Sequence, residues 1–260
     1  MTENALVIER HDGVTIWRLN NPALRNPFTA ELKQALAEQA ALFVVDDAQK
    51  CLVITGSAEY FCAGGDIRTM DADRSTVAVR KRLQHTHRWM KLLVNSEKPV
   101  IMAVNGAAVG AGVSLALAGD IAVASDKAFF MSGFPKVGVL PDLALLYTLP
   151  RAIGMQRAKD FLMTSRRVEA VEALSIGLVS RVFPHAEFHD KVLAMAKEIA
   201  NGPLVSIGLT KSLLNQTQND SLESFLLREE MGQAVVFGTD DFLEGNRAFK
   251  EKRSPRFSGK

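Results

Sequence analysis

The sequence predicts an α/β core followed by an all-helical tail. Short runs rich in β-branched residues alternate with stretches of helical periodicity through the first two thirds of the chain. Beyond about Phe183 no segment reads as strand. No linker rich in Pro, Gly or Ser, no low-complexity segment and no repeat with a recurring signature divides the 260 residues, so one large domain is expected.

Leu6-Val-Ile-Glu-Arg and Val14-Thr-Ile-Trp-Arg-Leu read as two strands joined by a tight Asp12-Gly13 turn, and Asn21-Pro22 breaks the second. Thr29 is a plausible N-cap for a helix over Glu31–Phe43, where Leu32, Ala35, Leu36, Leu42 and Phe43 fit helical spacing. Leu52-Val-Ile-Thr is a short buried strand that ends at Gly56-Ser57, and a loop through Ala63-Gly-Gly-Asp follows. A helix from about Arg74 to Val94 stops before Pro99. Val100–Val104 reads as strand, Gly110–Ala118 as helix and Ile121–Ala124 as strand. Helical patterns then cover Arg157–Met163 and Val168–Ile176, and Phe188–Ala200, Pro203–Asn215 and Leu222–Phe237 finish the chain. The spacing divides it into a core over residues 1–200 and a helical region over 201–260.

Composition narrows the function classes. A hydrophobic fraction of 47% with 23% charged residues excludes disorder. Thirty-one Lys and Arg against 29 Asp and Glu leave a formal charge of +2, which is not the balance of a dedicated nucleic-acid binder. Two cysteines, Cys51 and Cys62, exclude a disulfide scaffold and a cysteine zinc site. The opening Met-Thr-Glu-Asn lacks the basic and apolar regions of a secretory signal. Val100 to Gly119 is long and apolar enough to span a bilayer, with only Asn105 and Ser114 as polar side chains. Its internal Gly106, Gly110 and Gly112, and Asp120 directly after, favour a strand, turn and helix buried in protein. A cytoplasmic protein without a membrane partner is the expectation. His85 and His87 lie two apart and point away from each other on a helix, and neither a dinucleotide fingerprint nor a phosphate loop occurs. No metal and no nucleotide cofactor are therefore expected.

Two glycine-rich turns stand out, Phe61-Cys-Ala-Gly-Gly-Asp-Ile and Asn105-Gly-Ala-Ala-Val-Gly-Ala-Gly, each after a predicted strand. Glycine lets a ligand approach the backbone, and the second turn opens a helix whose free amides favour developing negative charge. Two such turns can aim two amides at one oxygen, or can simply permit tight packing. Asp142, between Pro141 and the apolar run Leu143–Leu149, reads locally as an N-cap for that run.

These turns, with Lys98-Pro-Val-Ile-Met-Ala-Val ahead of the second, Gly119-Asp-Ile, Gly138-Val-Leu-Pro-Asp, Leu149-Pro-Arg-Ala-Ile-Gly, Gly177-Leu-Val and Ala248-Phe-Lys-Glu-Lys-Arg-Ser-Pro-Arg-Phe, resemble the crotonase (enoyl-CoA hydratase/isomerase) superfamily. The likeness covers nearly the whole chain and is strongest to its enoyl-CoA and ring-1,2-epoxyphenylacetyl-CoA isomerases. It implies a spiral of ββα units, a C-terminal helical region for assembly into homotrimers or dimers of trimers, and an acyl-CoA substrate whose coenzyme A is the sole cofactor moiety. It implies oxyanion amides on Gly65 and Ala111, and adenine contacts from Ala63, Asp66 and Ile67. It further implies coenzyme A contacts from Arg25 and, across a subunit boundary, from Phe249 and Lys252.

Departures from the family pattern point to the reaction. Where hydratases carry two water-activating glutamates, this chain has Ser114 and Phe134, neither of which exchanges a proton near neutral pH. Asp142 falls where family isomerases use a lone carboxylate, so the resemblance implies a single-Asp proton shuttle beside an oxyanion hole. The stretch Leu143-Ala-Leu-Leu is bulkier than the glycine-containing stretch of the ring-epoxide isomerases. His87 aligns with the water-activating His of the family's 4-chlorobenzoyl-CoA dehalogenases, which use an Asp at the Asp142 position as nucleophile. A hydrolytic enzyme using Asp142 and His87, with Trp89 and Phe134 around an aromatic acyl group, is thus an alternative. An inactive relative with a binding role is another.

Overall fold

In the computed structural model the described residues are 4–69, 73–217 and 220–260, so the first three residues of the opening segment lie outside them. The hairpin forms as expected: β1 (Leu6–His11) pairs antiparallel with β2 (Val14–Leu19) across Asp12-Gly13. The Thr29 hydroxyl accepts from the Leu32 amide at 3.2 Å and starts α1 (Ala30–Val45). From there the chain repeats one move. A strand in a large sheet is followed by a short strand in a second sheet and then by a helix. Thus β3 (Cys51–Thr55) leads to β4 (Tyr60–Cys62) and α2 (Thr76–Asn95). Next, β5 (Val100–Val104) leads to β6 (Ala107–Val109) and α3 (Ala111–Ala116). Then β7 (Ile121–Ser125) leads to β8 (Phe129–Met131), α4 (Leu145–Ile153) and α5 (Met155–Thr164). This alternation is the ββα spiral that the resemblance implied.

Two further strands close the sheets around α6 (Ala170–Ser175): β9 (Arg167–Glu169) and β10 (Arg181–Phe183). The large sheet runs β1-β2-β3-β5-β7-β10 and is parallel after the hairpin. The small sheet runs β4-β6-β8-β9, with the last pair antiparallel. Both faces of the large sheet are covered, which explains its near-continuous apolar runs. Trp17, Ile54 and Met102 face a core shared with the first two helices, while Ile16, Val53 and Ile101 face α7 (Phe188–Ala200).

Two expectations are corrected, and a third is met with one short strand added. Val168, read as helical, lies in β9, because β8 offers it a strand edge at Phe130. The Val100–Gly119 stretch is divided among β5, β6 and α3, and no single helix among the described residues is long and apolar enough to cross a membrane. Finally, α8 (Leu204–Leu214) and α9 (Leu222–Phe237) are followed by a further helix, α10 (Asp240–Glu251), capped by Thr239. The tail after α10 folds back onto it. Glu244 takes a two-pronged contact from Arg253 at 2.7 and 3.0 Å, and Asp241 accepts from the Ser258 and Gly259 amides. Lys211 fastens α8 to the core: its ammonium reaches the Leu93 and Lys98 carbonyls and pairs with Asp120 at 2.9 Å.

Candidate active site

The two glycine turns sit against each other. Gly64 is at φ +93°, and a Cβ there would meet the Val109 carbonyl oxygen at 2.7 Å and the Ala111 amide nitrogen at 3.2 Å. A Cβ on Gly112 would run into the Cys62 carbonyl. The turns therefore approach at backbone distance, a fit that only glycine permits. Asn105 braces this contact, accepting from the Gly56 amide at 2.8 Å and donating to the Ala58 carbonyl at 2.9 Å. Phe28 ties in the outer edge, its amide donating to the Gly64 carbonyl at 2.8 Å. Among the described residues, neither the Gly65 nor the Ala111 amide donates to a protein acceptor, and both residues line one cavity of about 760 Å³. Ala111 is also the first residue of α3, so the helix dipole favours negative charge in front of it. Cys62, beneath the turn, is fully buried and its thiol is pushed up to about 12, so it packs and does not react.

Asp142 lines the same cavity, and its side chain does not cap a helix. Leu143 and Ala144 both take the left-handed conformation, at φ +49° and +64°, which delays α4 to Leu145. The Leu145 amide is satisfied by the backbone carbonyl of Asp142 at 3.1 Å, not by its carboxylate. The Asp142 Oδ1 atom is buried with no hydrogen-bond partner. Burial raises this carboxyl above its ordinary range, while Lys33 foremost, then a backbone contact at Asp142 itself and last His87 pull it part of the way back. A buried carboxylate with a raised pKa and an unused oxygen, in a cavity with two unpaired amides, can move a proton next to a developing oxyanion.

The family model for enoyl-CoA hydratase/isomerase matches residues 9–260. The chain belongs to the enoyl-CoA hydratase/isomerase family. It is 34% identical to a 1,2-epoxyphenylacetyl-CoA isomerase of Escherichia coli, over 95% of this chain and 96% of that protein. It is 31% identical to a 4-chlorobenzoyl coenzyme A dehalogenase of an Arthrobacter species, over 96% and 92%. A solved enoyl-CoA hydratase from Bacillus anthracis superposes with a TM-score of 0.92 at 29% identity, covering 98% of this chain and all of that one.

Of the other residues singled out in this family enzyme's sequence, Asp66 and Ile67 line the cavity beside Gly65. The Asp66 carboxylate is taken by Arg68, which donates from Nε and Nη2 at 2.8 Å each and holds it below the ordinary carboxylate range. Ala63 is half-buried at the start of the turn, and its amide donates to the Arg25 carbonyl at 3.0 Å.

The remaining residues lie outside this cavity within one subunit. Ser114 is fully buried inside α3, Phe134 is packed in the core, and Trp89 lies in that core as well, so none of the three lines the cavity. His87 lines a separate cavity with Met90, Ala144 and Tyr147. Arg25 is exposed beside the Tyr60 ring. Phe249 is 86% exposed at the end of α10, and Lys252 caps that helix, both away from the cavity within one subunit.

The sequence reading missed the cations Lys33, Arg74 and Arg82, which line the cavity. One signal could have flagged Lys33. It lies near the N-terminal end of α1 beside the apolar stripe of Leu32 and Leu36, where the helix dipole disfavours a positive charge.

Proposed function

We propose that this enzyme isomerises double bonds in acyl-CoA thioesters, with Asp142 as the single proton shuttle and the Gly65 and Ala111 amides as the oxyanion hole. Asp142 takes a proton from one carbon of the acyl chain. The electrons move into the thioester, whose carbonyl oxygen becomes the oxyanion of a dienolate held by the two amides. The same carboxyl then returns the proton to another carbon of the conjugated system. No cofactor takes part beyond the coenzyme A of the substrate. The observation that carries the reading is the buried, unpartnered Asp142 Oδ1 in one cavity with two unpaired amides. The Escherichia coli isomerase among its relatives supports it. Losing one oxyanion donor of this kind costs about 10²–10³-fold in rate.

The reading extends to the assembly: the 201–260 region joins subunits into trimers or dimers of trimers, and the enzyme works in the cytoplasm. The exposed Leu226, Leu227, Met231 and Val235 of α9 support the first point.

A second, hydrolytic reading draws on the Arthrobacter relative and on the electrostatic reach of His87 to Asp142. The place of His87 in a separate cavity weighs against it.

Mass spectrometry of acyl-CoA turnover in heavy water tests both. Deuterium uptake without addition of water is expected, with very slow crotonyl-CoA hydration and with His87→Gln active. Release of free acid or coenzyme A, abolished by His87→Gln, would establish the hydrolytic reading. Rapid hydration, within the usual enzymatic turnover of about 1–10³ per second, would overturn the isomerase reading.

A further inference from the structure

The cavity carries more positive charge than a neutral acyl chain requires. Lys33 is half-buried on its wall, and Arg82 stands close enough on α2 to repel it. Burial and that repulsion both press the Lys33 ammonium toward its neutral form, while Asp142 and Asp66 favour the charge. Among the described residues, neither Lys33 nor Arg82 makes an ion pair or a side-chain hydrogen bond. The carboxylates nearby do not balance them. Asp66 is occupied by Arg68, Asp142 is buried with its own unpaired oxygen, and Asp73 acts on Arg82 only from a distance. Lys33 thus meets three penalties together: partial burial, a like charge opposite, and the unfavourable end of the α1 dipole. An anion bound between Lys33 and Arg82 would relieve all three.

The place of this charge separates two sources of the anion. Lys33 acts directly on Asp142, so it stands by the reacting carbons. Asp142 outweighs Asp66 among the carboxylates that favour the Lys33 charge, which sets Lys33 nearer the proposed proton shuttle than the Asp66 turn where the adenine end of coenzyme A is expected.

We propose that the preferred substrates carry a carboxylate on the acyl chain, held by Lys33 with help from Arg82. This inference rests on the acyl-CoA reading above and specifies its substrate class. Arg82 lies one turn before Thr86 on α2, which packs against α1, so both cations line the one cavity from neighbouring helices. A carboxylate between them forms charge-assisted bonds with both.

Calorimetric titration provides the test, with three probes: a six-carbon enoyl-CoA with a terminal carboxylate, its uncharged six-carbon counterpart, and free coenzyme A. The wild-type chain should bind the carboxylated thioester about tenfold or more tightly than the uncharged one. Lys33→Met should erase that preference while leaving the uncharged thioester and free coenzyme A within about twofold, and Lys33→Arg should restore much of it. Binding is the readout because Lys33 also biases Asp142, so turnover would mix two effects. Equal wild-type affinity for the two thioesters overturns the inference and leaves the acyl-CoA reading standing. An equal loss for all three probes in Lys33→Met overturns it as well, because Lys33 then serves the coenzyme A phosphates. Failure of every thioester to bind overturns both readings.

Discussion

Asp142→Ala and Asp142→Asn should make the protein more stable while they abolish isomerisation. The native fold encloses the Asp142 Oδ1 atom and gives it no partner. Leaving a buried polar group unsatisfied costs about 1–3 kcal/mol in protein mutation data. Lys33 offsets part of that cost, yet burial remains the largest influence on the carboxyl and its pKa is raised. A net gain of about 1 kcal/mol is expected from removing the carboxylate. With an unfolding entropy of about 2.1 cal/mol/K per residue, 260 residues give roughly 0.55 kcal/mol per degree, so Tm should rise by about 2 °C. The pH dependence gives a second check. An Asp whose pKa is raised in the fold is penalised when ionised, and the penalty vanishes once both states are protonated. The advantage of Asp142→Ala over the wild type should therefore shrink as pH falls through the raised folded-state value and be gone below the ordinary value of 3.8. Scanning calorimetry at pH 7 and at pH 4, beside heavy-water exchange, measures both sides. Activity should drop by about 10²–10⁴-fold or more. A capping Asp would behave oppositely, with Asp142→Ala losing about 0.5–2 kcal/mol. A lower Tm for Asp142→Ala at pH 7, or activity above a tenth of wild type in Asp142→Asn, would refute the reasoning.

Three further outcomes follow from the same structure. Lys211→Met strands Asp120 beneath α8 and should cost about 3–5 kcal/mol, roughly 5–9 °C in Tm, with Asp120→Asn/Lys211→Met recovering most of it in thermal melts. Ala144→Gly relieves a left-handed alanine and should gain up to about 1 kcal/mol, seen as a higher urea midpoint with an unchanged slope; a lower midpoint would contradict the strain. Glu244, held down to about 2 chiefly by Arg253, should keep the tail docked above its ordinary 4.5 and release it as pH falls from there toward 2. Carboxyl NMR titration that places Glu244 at or above 4.5 would contradict that contact.

Much of the large sheet was legible because its physics is local. The Asp12-Gly13 turn needs two short strands and nothing else, and Thr29 caps α1 through its own hydroxyl. The three-residue strands β8 and β9 were not legible, because Val168 becomes a strand residue only when Phe130 lies beside it. The long helix expected from Arg74 begins at Thr76, behind a Ser75 cap. Helix α10 escaped notice because half of its residues are charged and it buries little beyond Asp241 and Ala248. In the site, Gly65, Ala111 and Asp142 were found through the family likeness, and the structure brings all three to one cavity. The capping reading of Asp142 failed on two consecutive left-handed residues, which local propensity does not foresee after an Asp. The cations were missed because a lysine on a helix face reads as solvated unless the opposite wall is known.

The locked turns and the free carboxylate are mounted on different parts of the chain. The two unpaired amides belong to backbone that is interleaved at Gly64 and Gly112, where any added side chain would part the two segments. Asp142 sits on a connecting stretch, and its buried Oδ1 is fastened to nothing. Under the proposed mechanism, point substitution can therefore exchange or erase the proton-handling group without disturbing the anion-holding one. A scaffold of this kind would let the chemistry change one side chain at a time while the proposed hold on the thioester oxygen stays in place.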